Sequence, residues 1–202
     1  MILRWLRERR MLPAVHMVYT SIVRAARQEV FHSGFAVPDT LDGRFDLILL
    51  HMALVVDRLR KGVDVGDDDL LFARRLQEVM IEDMDRSLRE MGVGDLSVGK
   101  QIKKMGAAWL GRLDAYSTAL ERGAAPQALE DVLARNLYRQ EEGAGVDDTD
   151  GRTAVPADVI ALLAGYVRDV KQAIDGAATQ DIRAWRIALP APPRPAERKI
   201  RT

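Results

Sequence analysis

The sequence predicts an all-α, single-domain bundle of about six or seven helices. Apolar residues recur at three- and four-residue spacing along most of the chain, which is the period of one face of a helix. No run alternates apolar and polar residues for long enough to predict a strand, and no repeat at the spacing of solenoid units is evident. A length of 202 residues with 48% hydrophobic residues suits one ordinary globular domain.

Proline, glycine and capping residues divide the chain into the predicted helices. Pro13 suits a first helical position, and the first apolar stripe runs from Val15 to Val30 with Gly34 as a C-terminal stop. The second helix, at 45–59, is apolar almost all round and is therefore predicted to be central. Later helices are expected to begin at Asp67 or Asp68, Asp95 or Ser97, Pro126, Pro156 and Thr179.

The two ends of the predicted domain are basic. Residues 1–12 form a basic N-terminal arm with four Arg against one Glu, and residues 190–202 form a basic tail with four Lys or Arg against one Glu. The helical domain is placed at 13–189. Four prolines predict that the tail is extended, and the polar, acidic stretch at 141–150 is expected to be a loop.

Composition excludes several kinds of site. The chain has no Cys, so it has neither a disulfide nor a thiolate metal site. The histidines His16, His32 and His51 lack metal-binding spacing, and we expect no metal and no other cofactor. His51 lies on the most apolar helix, where a hydrogen-bonded core histidine is the default.

The N-terminus predicts a location in the cytoplasm. The longest runs without a charge, 11–23 and 47–56, are well short of the ~20 residues of a membrane-spanning helix. The first residues, MILRWLRERRML, have no uncharged stretch or cleavage site typical of a secretory signal. Their apolar side chains between arginines suit weak peripheral contact with anionic lipid.

The segment at 94–101 matches the GxxxxGK start of a phosphate-binding loop. Gln101 stands where Ser or Thr would bind magnesium, and Asp95 would repel phosphate. A predicted helix, and no strand, precedes the segment. We therefore expect no nucleotide binding.

Three lysines form the clearest charged feature. Lys100, Lys103 and Lys104 share one face at the start of a predicted helix, with no acid until Asp114. Lysines near a helix N-terminus oppose the macrodipole, so docking explains the placement better than helix stability does. Ribosomal RNA, anionic lipid and an acidic partner protein are the candidates, and a solvated face without a partner is the alternative.

Two stretches resemble the ubiquinol–cytochrome c chaperone family, whose members are assembly factors for cytochrome b of the bc1 complex. They are VPDTLDGRFDLILLHMALVVDRLR and MIEDMDRSLREMGVGDLSVGKQIKKMGAAWLGRLDAY. The resemblance covers about residues 13–189. The motifs that carry it are P-D-T, I-x-x-H-x-x-L-x-x-x-R-L at Ile48–Leu59, D-x-x-x-R-x-x-G-V at Asp85–Val93, G-x-x-x-A-Y at Gly111–Tyr116, and Y-V-R with W-R at Tyr166, Val167, Arg168, Trp185 and Arg186.

The resemblance implies a non-catalytic chaperone that meets newly made cytochrome b near the ribosome at the membrane. It protects this subunit until haem and partner subunits arrive. The absence of a transit peptide favours the bacterial cytoplasm, with peripheral contact to the inner membrane. The residues leave open whether a small helical partner protein takes part. The predicted partner-binding residues are His51, Asp85, Arg89, Gly92, Gly94, Asp95, Lys100, Lys103 and Lys104.

Proteins of other classes remain as alternatives. An all-α DNA-binding regulator would need a helix-turn-helix with a basic recognition helix, which 13–60 does not show, so no DNA partner is expected. A helical enzyme would use His51 with a carboxylate. A bundle that binds haem or quinone would use a buried histidine among apolar helices.

Overall fold

The computed structural model describes residues 2–138 and 155–195, with side chains from Arg7 onward at the N-terminal end. Eight helices and no strand occur in these residues, so the all-α prediction is confirmed. None of the described helices is long and apolar enough to cross a membrane. The helices are α1 (Ile2–Ala26), α2 (Val30–Ser33), α3 (Leu41–Lys61), α4 (Asp67–Glu90), α5 (Asp95–Ala119), α6 (Ala128–Leu137), α7 (Ala157–Asp175) and α8 (Thr179–Arg183). The acidic stretch at 141–150 lies outside the described residues.

Helix α3 lies at the centre of the bundle, as its apolar sequence predicts. Every residue from Phe45 to Val56 is buried, and α3 contacts α1, α4, α5, α6, α7 and α8. A helix covered on all sides needs no polar face, which explains its near-continuous apolar run. The main core is therefore built around α3.

The P-D-T segment caps the start of α3. The Thr40 hydroxyl accepts a hydrogen bond of 3.1 Å from the Gly43 amide, and Arg44 Nε donates to the Asp39 carboxylate at 2.6 Å. Glycine is required at position 43, because a Cβ there would lie 2.1 Å from the Pro38 carbonyl oxygen. This family motif thus has a structural role in starting the central helix.

Replacing Thr40 by alanine is expected to lower the free energy of unfolding by about 1 kcal/mol, the usual cost of losing an N-cap side chain. Thr40→Ser keeps a hydroxyl that can accept from the Gly43 amide and should retain most of the stability. Chemical denaturation of the two variants beside the wild type measures the difference. Equal midpoints for Thr40→Ala and the wild type would contradict the capping role.

The N-terminal end differs from the prediction. Helix α1 begins at Ile2 and contains Pro13 in its interior, so residues 2–12 continue the helix that was expected to start at Pro13. Ion pairs to α4 explain this extension: Arg7 lies 3.3 Å from Asp68, and Glu8 lies 3.2 Å from Arg74. These contacts hold the first turns against the start of α4.

The first predicted helix is also interrupted before Gly34. Helix α1 ends at Ala26, and a turn leads into the short helix α2. The turn lets Phe31 and Phe35 point inward, where both are fully buried. A single straight helix would have left this apolar pair outside the core.

The remaining boundaries follow the predicted breaks with shifted caps. At the start of α4 the Asp69 carboxylate, and not Asp67 or Asp68, accepts from the Gly66 amide at 2.9 Å. Helix α7 follows Pro156, as predicted, and α6 begins two residues after Pro126. The tail is described to Pro195 and contains no helix, in line with its proline content.

Candidate functional site: the α4–α5 hairpin

The turn between α4 and α5 contains Gly92 and Gly94, two of the predicted partner-binding residues. Gly92 has φ of 81°, a left-handed conformation that favours glycine. Its amide donates to the Arg89 carbonyl at 2.9 Å, and the Val93 amide donates to the Leu88 carbonyl at 3.1 Å. Gly94 then precedes the first residue of α5 in an extended conformation. These bonds reverse the chain within four residues.

Arg89 joins the two ends of this turn. Its Nε lies 2.7 Å from the Asp85 carboxylate on α4, and its guanidinium also pairs with Asp95 at the start of α5. The hydrogen bond to Asp85, followed by that to Asp95, raises the pKa of Arg89. The structure therefore brings together three predicted site residues, and their contacts show that they fix the hairpin.

We call residues 88–104 the hairpin tip. Leu88 and Val98 are buried there, yet neither belongs to the contiguous main core. The last core residue of α4 is Met84, and the first fully packed core residue of α5 is Trp109. The tip thus extends beyond the most tightly packed part of the bundle.

The predicted lysine face lies on the hairpin tip. Lys100, Lys103 and Lys104 are exposed, and among the described residues none of them forms an ion pair. Beside them Leu96 is 97% exposed and Met91 is 53% exposed. The tip therefore presents both positive charge and apolar side chains to its surroundings.

Beyond the lysines, the outward side of α5 carries little side-chain bulk. We call Gly106, Ala107, Leu110 and Gly111 the α5 outer face. A Cβ added at either of its two glycines would meet no atom within 4 Å, and Leu110 is 64% exposed. From Leu96 to Leu110 the helix rises about 21 Å. Small residues continue the surface into a groove between α5 and α6, lined in part by Ala115, Ala119 and Ala128.

His51 lies away from the other predicted site residues. It is 2% exposed on α3, with Nδ1 2.8 Å from the Leu47 carbonyl and Nε2 2.9 Å from the Tyr166 hydroxyl. Burial lowers its pKa to about 4, against a smaller opposing effect of the Leu47 carbonyl. The neutral ring therefore donates from Nδ1 to Leu47 and accepts at Nε2 from Tyr166. The structure does not bring His51 to the hairpin surface.

Sequence reasoning missed the contacts that hold α5 in place. Arg112 on α5 pairs with Asp46 on α3 at 2.5 Å, and the side chains are only 6% and 7% exposed. Trp109 Nε1 donates to the Gln77 side chain of α4 at 2.9 Å. The sequence did indicate a buried arginine, because Arg112 falls on the inward stripe between Trp109 and Tyr116. Its partner Asp46 could be identified only from the structure.

The described residues give no indication of a metal site or of a phosphate-binding loop. No group of three or more His, Asp or Glu that could hold a metal ion occurs among them. The GxxxxGK segment forms the start of α5, where the Ser97 and Val98 amides donate to the Gly94 carbonyl within the helix. An all-α bundle with an exposed hairpin tip and a bare helix face is suited to binding another macromolecule.

Comparison with known proteins places the chain in a family of this kind. The family model described as ubiquinol-cytochrome C chaperone matches residues 33–189, so the chain belongs to this family and the predicted resemblance is confirmed. The crystal structure of the Cbp3 homolog from Brucella abortus is similar, with a TM-score of 0.71 and 30% sequence identity. The match covers 94% of this chain and 96% of that chain. No curated protein sequence matches the chain.

Proposed function

We propose that the protein is a non-catalytic assembly chaperone that binds newly made cytochrome b and promotes assembly of the bc1 complex. Membership of the chaperone family supports the role in assembly. The family match at 33–189 includes the α4–α5 hairpin, and the similarity to the Cbp3 homolog covers almost the whole of both chains. The proposal includes contact of the protein with the ribosome that makes cytochrome b.

The α5 outer face is the main observation that supports binding of cytochrome b, the proposed client of the chaperone. Cytochrome b is a membrane protein, and its spanning segments are apolar. Small residues at a helix surface let another helix approach closely, and the open positions at Gly106 and Gly111 provide such a surface. Leu110 adds exposed apolar area to this face. A segment of the client that has not yet entered its complex can pack along this face.

A steric block on the α5 outer face is expected to reduce client binding. Gly106→Leu places a side chain where the structure leaves open space, so it should lower recovery of cytochrome b with the affinity-purified protein by about tenfold, equivalent to ~1.4 kcal/mol. The matched control is Gly165→Leu on α7. Its Cβ position is also open and it gives a similar gain in helix propensity.

The same variants test the proposed function in cells. A strain without the protein should have less spectrally detectable cytochrome b, which the wild type and Gly165→Leu restore and Gly106→Leu does not. Thermal melts confirm that both variants fold. Normal cytochrome b in the deletion strain would disprove the assembly role. Full restoration by Gly106→Leu would instead remove only the α5 outer face from the proposal.

A further inference from the structure

The hairpin tip is positively charged, because Arg89 and the three lysines outnumber Glu90 and Asp95 within residues 88–104. The α5 sequence has no acid between Asp95 and Asp114, and Asp95 itself pairs with Arg89. The three lysines near the N-terminal end of α5 add to the positive end of the helix dipole. The expected partner of this region is therefore anionic.

Exposed apolar side chains lie at the same place. Leu96 is in the first turn of α5 and almost fully exposed, and Met91 stands on the other side of the turn. Lysine side chains keep their ammonium groups in water while their stems lie on an apolar phase. Apolar groups at the end of a projection, flanked by lysines, match the boundary between lipid headgroups and acyl chains.

We propose that the hairpin tip docks the protein on an anionic lipid bilayer, with Leu96 and Met91 in the interface and Lys100, Lys103 and Lys104 on the lipid phosphates. Contacts with an RNA backbone would use the lysines and leave Leu96 in water. An acidic protein partner would need a concave surface that matches the projecting turn. A bilayer needs no such surface, because the turn can insert among the lipid headgroups. Gly92 and Gly94 add no side chain to this turn.

Docking by the tip would also fix the distance between the α5 outer face and the bilayer. Both surfaces lie on one helix, so lipid contact at Leu96 leaves Leu110 about 21 Å further along the helix axis. A segment of cytochrome b near the bilayer surface would then lie within reach of this face. Lipid docking itself does not require the proposed function, because it is tested with purified protein and lipid alone.

The test is co-sedimentation of the full chain with vesicles of equal parts phosphatidylglycerol and phosphatidylcholine, and with vesicles of phosphatidylcholine alone. The wild type should bind the anionic vesicles and not the neutral ones, and added salt should weaken the binding. Changing Lys100, Lys103 and Lys104 together to Glu should reduce partition by at least about 100-fold. Leu96→Ser should reduce it by about tenfold while leaving the charge unchanged.

A charge-matched control separates the tip from net charge. Changing the exposed Arg60, Arg122 and Arg135 together to Glu alters the charge by the same amount away from the tip and should leave most of the binding. Equal loss in this control would overturn the assignment to the tip. Failure of the folded wild type to bind anionic vesicles would overturn lipid docking, as would binding that Leu96→Ser leaves unchanged. Thermal melts verify folding of each variant.

Discussion

Replacing Arg112 by methionine is expected to lower the free energy of unfolding by about 3–5 kcal/mol. The guanidinium and the Asp46 carboxylate are both almost completely buried, so the change leaves a carboxylate in the core without this cation. The pair also links α5 to the central helix α3, and loosening it should affect the hairpin. The midpoint of urea denaturation, with the slope held in common, measures the loss.

Two controls test the reason for this loss. The double variant Asp46→Leu with Arg112→Met removes both charges and should recover most of the stability, because a buried pair often exchanges for apolar residues at little cost. Arg168→Met removes another arginine whose carboxylate partner, Glu130, lies at 3.0 Å, but Arg168 is 45% exposed. That change should cost no more than ~1 kcal/mol. A loss equally small at Arg112 would show that burial of the pair does not govern its contribution.

The helices were predictable because periodicity and chain breaks are local properties. The apolar run that becomes α3, the stop at Gly92 and the start after Pro156 depend on residues a few positions apart. The N-terminal end was harder, since Pro13 indicates a helix start locally. Ion pairs to residues about 60 positions away, such as Arg7 with Asp68, extend the helix past it. Contacts at that separation leave no periodic signal.

The sequence could not separate motif residues that build the scaffold from residues that remain exposed for binding. The Asp85 and Arg89 motif residues and Gly92 build the hairpin turn, and Arg58 of the α3 motif pairs with Asp64 at 2.8 Å. His51 is likewise a core residue. Motif residues therefore mark the scaffold here. The uncovered surface consists of Leu96, Leu110 and small residues of which Gly111 alone belongs to a motif, and only exposure in the fold distinguishes them.

Acid should destabilise the protein through His51 at pH values above the range in which most carboxylates titrate. The ordinary pKa of histidine is 6.5, and burial lowers that of His51 to about 4. Between these values the unfolded chain binds a proton that the folded chain excludes, so the free energy of unfolding falls as the pH falls. Below about 4 the folded state also binds the proton and the loss levels off. The full loss is roughly 3 kcal/mol, at 1.36 kcal/mol per pKa unit.

Urea denaturation at a series of pH values from 6.5 to 4.5 measures this dependence in the wild type and in His51→Gln. A glutamine side chain can still hydrogen-bond with Tyr166 but takes up no proton, so the stability of this variant should change less with pH over the range. The range stays above the titration of Asp64, whose pKa the Arg58 side chain lowers to about 2, so that loss of its ion pair does not contribute. Parallel pH profiles for the two proteins would show that proton uptake at His51 is not the cause, whereas a flatter profile for His51→Gln assigns the acid sensitivity to the buried imidazole between Leu47 and Tyr166.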